Sequence, residues 1–427
     1  MHIVCVHRAL FPERIGGTYS YIHELYRRLA ARGHDVDVIA STREGRAGPP
    51  REYEGMRLHL YAYRRVHPIL STLQHLRNTS RIFSAIASER PVDVLSIHES
   101  QLGYGLARSR AGRAVCQIPT FHAPVFLEFR FNTAWEIEQE KSAVRRAALR
   151  ATEPPLEHWQ RRFETGVLEA ADGIVILSEY TRSHLENHFP SVDPGKARII
   201  PSGVDTERFR PAEDRPAVRE ALGIASDAIH LVTTRKLAPR MGLENLVRAM
   251  PAVLRAAAER ELKLGLAICG SGDLRSVLED LIRELDVAES VRLAGRVSDD
   301  DLVRNYQAAD LFVLPTVAME GFGISTVEAL STNIPVIGTP AGATPEILAS
   351  IDARLLTDDT SVESLARGII AWLGWRDEDA GTTRYRDEVL ANYTWESVTD
   401  RVEAYYRERV EEFGRGSGAR TGETERT

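Results

Sequence analysis

The chain has 427 residues, too many for one ordinary hydrophobic core and about right for two domains. Its 43% apolar and 27% charged residues are globular in balance, and a formal net charge of −7 argues against a nucleic-acid partner, which usually calls for a basic excess. No run approaches the roughly 18 apolar residues a spanning helix needs. The start, Met1-His2-Ile3-Val4, lacks the pattern of a signal peptide. Cys5, Cys116 and Cys269 all sit in or at the end of apolar runs, as buried thiols of a reducing compartment do. A cytoplasmic location is therefore expected.

In chain order, short β-branched runs alternate with amphipathic helical segments, the pattern of parallel α/β sheets. His2–His7 opens as a strand. A loop with Gly16-Gly17 follows, then a helix from about Thr18 to Ala31, where Tyr21, Ile22, Leu25, Tyr26 and Leu29 recur at helical spacing. Strands are predicted at Val36–Ala40, Met56–Ala62, Val94–His98, Ala114–Phe121 and Gly173–Leu177. A change comes at Ile199–Asp205, and with the polar, proline-bearing stretch Thr206–Pro216 that follows it reads as an interdomain hinge. The alternation then restarts. Strands are predicted at Ile229–Thr233, Leu264–Cys269, Val291–Ala294, Leu311–Leu314 and Pro335–Gly338, with helices between, including Leu243–Ala258 and Ile324–Leu330. Trp395 leads a last amphipathic helix to about Phe413, and the Gly-, Arg- and Thr-rich tail 414–427 reads as disordered. The expected division is 1–200, a linker 201–225, a second domain 226–392, the helix 393–413 and the tail. Two consecutive doubly wound sheets would bind ligands at the C-terminal ends of their strands.

One such strand end carries a dense constellation. Leu311–Leu314 is followed by Pro315-Thr316-Val317-Ala318-Met319-Glu320-Gly321-Phe322-Gly323, and a helix then begins at Ile324-Ser325 with Glu328 inside it. Glycines let backbone approach a ligand, and a helix start offers N–H groups to a phosphate. Two carboxylates flanking such a loop suit paired hydroxyl groups, one on a sugar and one on a ribose. Taken singly, each glutamate is also an ordinary surface acid.

This string resembles the retaining glycosyltransferases of family 4, which have the GT-B fold: two Rossmann-like domains facing each other across a cleft. Glu320, Gly321, Phe322, Gly323 and Glu328 match the family's signature of two glutamates eight apart around Gly-Phe-Gly. The resemblance covers nearly the whole chain. Gly16-Gly17, Thr120-Phe121-His122, Leu177-Ser178-Glu179, Gly203-Val204-Asp205, Gly270-Ser271-Gly272, Gly295-Arg296-Val297 and Gly342–Glu346 follow in the family's order, as does the Trp395 helix.

The resemblance implies transfer of a hexose-type sugar from a UDP- or GDP-sugar to a hydroxyl of a glycan, lipid-linked or small-molecule acceptor. It implies neither a metal nor another cofactor. Glu320 and His122 would be the catalytic residues, His122 hydrogen-bonding the donor sugar near its anomeric carbon. Gly16, Gly17, Gly270, the Gly321–Ser325 turn with Phe322, Gly323 and Ile324, and Glu328 would hold the donor, with Arg296 and Val297 near its base. A basic pair would complete the diphosphate site, and the chain departs from the family there. In Arg235-Lys236-Leu237-Ala238-Pro239-Arg240-Met241-Gly242, Lys236 stands at the usual arginine and Met241 at the usual lysine. Arg235, Lys236 and Arg240 are the cations left to compensate. Two other readings share the architecture: a nucleotide-sugar epimerase, and a binding subunit without activity.

Three features lie outside that motif order. Asp35-Val36-Asp37 and Asp377-Glu378-Asp379 imitate a metal-binding pattern of another glycosyltransferase fold, and both read as solvated acids. His98 reads as structural. Arg57–Arg90 and Lys141–Arg162 each carry six cations, as solvated helix faces or as a basic face toward anionic lipid.

Overall fold

The structure, a computed structural model, describes residues 1–8, 16–42, 47–63, 68–379 and 381–422. The chain divides into two compact units, Met1–Pro201 with Trp395–Thr427, and Ser202–Thr394.

In the first unit, strands β1 (His2–His7), β2 (Asp35–Thr42), β3 (Arg51–Tyr53), β4 (Met56–Ala62), β5 (Val94–Ile97) and β6 (Cys116–Gln117) form one sheet in the order β3-β4-β2-β1-β5-β6. All neighbours are parallel except β3 and β4, which form a hairpin. A second, parallel sheet holds β7 (Thr120–Phe121), β8 (Ile174–Ile176) and β9 (Ala197–Ile199). The single strand expected over Ala114–Phe121 is thus two, in different sheets. Pro119 lies between them, and having no N–H it cannot continue a ladder. The helices are α1 (Gly17–Ala31), α2 (Pro68–Glu89), α3 (Ser100–Ala107), α4 (Val125–Gln139), α5 (Ala143–Glu169) and α6 (Glu179–His188).

The second unit has one parallel five-stranded sheet, β12-β11-β10-β13-β14, from β10 (Ala228–Thr234), β11 (Lys263–Cys269), β12 (Val291–Gly295), β13 (Leu311–Leu314) and β14 (Val336–Gly338). Its helices are α7 (Arg215–Ala221), α8 (Leu243–Ala258), α9 (Arg275–Glu284), α10 (Asp299–Ala308), α11 (Ile324–Ser331), α12 (Thr344–Ile351), α13 (Val362–Trp375) and α14 (Arg384–Asn392). The last helix, α15 (Trp395–Gly422), belongs to the first unit and runs past the end expected near Phe413; residues 423–427 lie outside the described residues.

Continuous apolar runs make these parallel strands, because helices cover both faces of the sheet. Leu311, Phe312, Val313 and Leu314 of β13 are all fully buried, each worth roughly 2 kcal/mol. Such a strand is rigid, and the loop leaving it starts from a fixed point.

Both sheets change direction of winding at a definite place. In the second unit the chain goes from β10 outward to β11 and β12, then returns to add β13 and β14 on the other side. The loops after β10 and β13 therefore leave neighbouring strands at the switch point, where α/β sheets bind ligands. In the first unit β1 and β5 play the same part.

Candidate active site

At the switch point of the second unit the loop after β10 brings Arg235 and the loop after β13 brings Glu320. Their side chains form a buried ion pair. Arg235 Nη2 also donates to Thr316 Oγ1 at 2.8 Å and to Met241 Sδ at 3.0 Å, while Nη1 donates to Ser325 Oγ at 3.1 Å. Its Nε is buried without a partner. Thr316 Oγ1 donates to Glu320 Oε2 at 3.1 Å. Burial by itself would raise the Glu320 pKa. The charges of Arg235 and Arg240, with hydrogen bonds from Arg235 and Thr316, outweigh it and hold the carboxyl below its ordinary value.

The backbone around Arg235 admits little change. An added Cβ on Gly270, at φ +149°, would lie 1.8 Å from the Arg235 carbonyl oxygen. Gly270 thus acts here by letting two loops of the sheet touch. Arg240 reaches the Met319 carbonyl at 3.2 Å, while Lys236 is exposed.

Gly323 caps α11 in the left-handed conformation, at φ 95° and ψ 61°, which glycine adopts without the strain a side chain brings. Ile324 and Ser325 then open the helix, so their amides belong to the set with no partner inside it. Phe322 is buried against the Tyr393 ring, with centroids 5.6 Å apart, and anchors the turn. One turn further, Glu328 accepts from the Tyr306 hydroxyl at 2.8 Å. Burial raises its pKa to about 7. The two glutamates therefore differ: cations favour the ionised form of Glu320, and burial favours the protonated form of Glu328. Arg296 is exposed and Val297 half-buried in the loop after β12.

In the first unit Gly16 and Gly17 are exposed at the start of α1. His122 follows β7 and is half-buried. Its Nε2 lies 3.2 Å from His98 Nδ1, and His98 Nε2 lies 2.8 Å from the Tyr26 hydroxyl. Burial first, then for His98 the charges of His122 and His7 and for His122 that of His7, lowers both pKa values, that of His122 to about 3. His98, read from sequence as structural, is thus the direct partner of His122. The signal that could have revealed it is its place after β5, beside β1 at the switch point.

Two expectations about acids change. Asp37 is fully buried rather than solvated, held by His2 Nε2 at 2.7 Å, His59 Nε2 at 2.6 Å and Arg90 Nη2 at 2.8 Å, with Arg57 Nε at 3.4 Å, so these partners compensate its desolvation. Asp379 is half-buried and pairs with Arg384 at 2.8 Å, while Asp35, Asp377 and Glu378 are exposed, as the sequence reading had them. The basic stretch 57–90 is partly used up by Asp37, which takes Arg57 and Arg90, while Arg64 and Arg65 lie outside the described residues. On α5, Arg145, Arg150 and Arg162 are exposed. Among the described residues no group of three His, Cys, Asp or Glu could hold a metal ion, and no helix is long and apolar enough to cross a membrane.

Each of the two Rossmann-like units gathers residues at its switch point, and the chain has the GT-B architecture. A solved sucrose-phosphate synthase from Thermosynechococcus elongatus has the same fold, with a TM-score of 0.77 over 95% of this chain and 98% of that one at 21% identity. Residues 15–208 match the family model Glycosyltransferase Family 4, and residues 214–385 match Glycosyl transferases group 1. The chain belongs to this group 1/family 4 of glycosyltransferases. It is similar to a GDP-mannose-dependent monoacylated alpha-(1-6)-phosphatidylinositol monomannoside mannosyltransferase of Corynebacterium glutamicum, 31% identical over 54% of this chain and 61% of that enzyme. It is also similar to a D-inositol 3-phosphate glycosyltransferase of Kineococcus radiotolerans, 29% identical over 77% of this chain and 73% of that one. Against the mannosyltransferase, the chain spans about three fifths of the relative's length.

Proposed function

We propose that this chain transfers a hexose-type sugar, with retention of configuration, from a UDP- or GDP-sugar to a hydroxyl of a glycan, glycolipid or small-molecule acceptor. The single observation that carries the reading is the Arg235 guanidinium bonded to Ser325 at the start of α11. A cation at a helix N-terminus has the unfavourable sign for that end of the dipole. Glu320 offsets one charge, and a diphosphate would offset the remainder. When the glycosidic bond breaks, negative charge develops on the β-phosphate. Arg235 and the Ile324 and Ser325 amides are fixed donors for it, and such donors are worth about 10²- to 10³-fold in rate each.

In this reading Glu320 positions a sugar hydroxyl, Glu328 accepts from the ribose, and His122 hydrogen-bonds the donor sugar. Arg235 supplies the charge that Met241 lacks. The relative's name makes GDP-mannose the first donor to try. The exposed Arg145, Arg150 and Arg162 support an acceptor or surface carrying anionic lipid. Flotation with vesicles that is insensitive to anionic lipid content would remove that part.

The test is a panel of UDP-, GDP-, ADP- and TDP-sugars read by thermal shift and by donor hydrolysis, with Glu320→Ala as control. Stabilisation by one donor with slow sugar release, lost in the variant, supports transfer. Stabilisation without turnover, even with acceptor mixtures, makes the chain a binding subunit. Interconversion of the donor without release makes it an epimerase.

A further inference from the structure

From a line of hydroxyl groups running through the core of the first unit, we infer that Tyr26 and His98 are positioning residues. They fix the tautomer of His122 so that its Nδ1 carries the proton and is offered to substrate as a hydrogen-bond donor. Ser96 Oγ donates to the Ile118 carbonyl at 3.0 Å, so it has no second proton to give. The Tyr406 hydroxyl, from α15, donates to Ser96 Oγ at 3.1 Å. The Tyr26 hydroxyl has Tyr406 at 3.3 Å and His98 Nε2 at 2.8 Å within reach, with Ser96 and the Cys5 thiol also beside it, and Ser96 Oγ lies 3.4 Å from the same His98 nitrogen. The 2.8 Å contact is the stronger of the two, and the Tyr26 proton is assigned to it.

With Tyr26 donating to it, His98 Nε2 is an acceptor. A neutral imidazole has one N–H, so the His98 proton is on Nδ1. That N–H points at His122 Nε2, 3.2 Å away, which must accept in turn. The only nitrogen left to carry the His122 proton is Nδ1. The bond made by one ring nitrogen decides what the other can do, and here that decision is passed through two histidines. Both rings are buried enough to stay neutral, so neither can satisfy the line by picking up a second proton. Tyr26 is fully buried, and His98 is close to it in burial, so water does not compete for the line.

The functional half of this inference rests on the reading that His122 hydrogen-bonds the donor sugar; the tautomer half does not. Long-range ¹H–¹⁵N correlation on the full chain with ¹⁵N-labelled histidine, without substrate, reads the protonated nitrogen of each ring at neutral pH. The expected result is Nδ1–H on both His98 and His122. Tyr26→Phe keeps the ring in its pocket and removes only the hydroxyl, and it should move a substantial fraction of His98 and His122 to the Nε2–H form. His122 found as Nε2–H or as imidazolium in the wild type, or unchanged tautomers in Tyr26→Phe, would overturn the relay. For the preferred donor, Tyr26→Phe should lower kcat about ten-fold with little change in KM, the loss of roughly one neutral hydrogen bond made in the transition state. Shifted tautomers with kcat unchanged would overturn the functional half alone.

Discussion

The Arg235 guanidinium rests against the Met241 sulfur at 3.0 Å, so a cation lies beside the residue that the sequence aligns with the usual lysine. A thioether accepts that contact without contributing charge, and the site keeps one cation paired with Glu320. Removing Arg235 should therefore cost what losing a phosphate donor costs. Arg235→Ala is expected to lower kcat by about 10²- to 10³-fold in a donor-hydrolysis or transfer assay. Adding Met241→Lys to that variant should recover at least ten-fold of the loss, because the ammonium enters the vacated space. A folded double variant with no recovery would show that Met241 does not stand at the functional lysine position.

Glu320→Gln leaves the buried Arg235 cation with neutral partners only. Breaking one side of a buried pair costs more than the pair contributes, on the order of 3 kcal/mol. Denaturant unfolding should show that loss, and saturating nucleoside diphosphate should offset a larger share of it than it adds to the wild type. Equal stabilisation of both proteins by the nucleotide would mean that the diphosphate does not meet Arg235.

Gly270→Ala is predicted to be more damaging than its small volume suggests. The new methyl would meet the Arg235 carbonyl at 1.8 Å, at a backbone angle unfavourable to alanine. The loops after β10 and β11 must separate, which should cost about 2 kcal/mol or more of stability and displace Arg235 from Glu320. Gly265→Ala, where the nearest atom is the Ser290 carbonyl oxygen at 3.6 Å, is the control expected to fall within about 1 kcal/mol. Comparable melting temperatures for the two variants would contradict the packing argument.

Stability should fall with rising pH because of Glu164. Its side chain accepts from the amides of Val125 at 2.8 Å and Phe126 at 3.4 Å at the start of α4, yet burial pushes its pKa up to about 8. An unfolded glutamate ionises near pH 4.5, so between pH 4.5 and 8 the native state binds more protons than the unfolded one. Each step up in pH through that window then favours unfolding. Glu164→Gln removes the titration while keeping an acceptor. Relative to the variant, the wild type should lose on the order of 3 kcal/mol between pH 5 and pH 8.5. Parallel stability–pH curves for the two proteins would show that Glu164 does not hold its proton.

Local spacing made much of this molecule legible. The strand Leu311–Leu314, the Glu320–Gly323 turn, Ile324 as the first helical residue and Glu328 inside the helix all lie within 18 residues. Geometry over that range is set by the chain's own connectivity, by an apolar run and by the conformational freedom of Gly323. The alternation of strands and helices likewise determined two Rossmann-like units, since nothing but a helix-covered parallel sheet buries such runs on both faces.

Tertiary structure decided the partners. Neighbouring residues leaving a strand face opposite ways, so whether Arg235 or Lys236 enters the site depended on how the loop after β10 sits against Gly270, 35 residues later. Asp37 read as a solvated acid until the fold closed His2, His59 and Arg90 around it. His98 and His122 are 24 residues apart and end strands of different sheets, with Pro119 between those strands. Their contact, and the line of hydroxyls from α15 that orders it, exists only because burial brings segments far apart in sequence to one desolvated place. A polar group there must find a partner or raise the free energy of the fold.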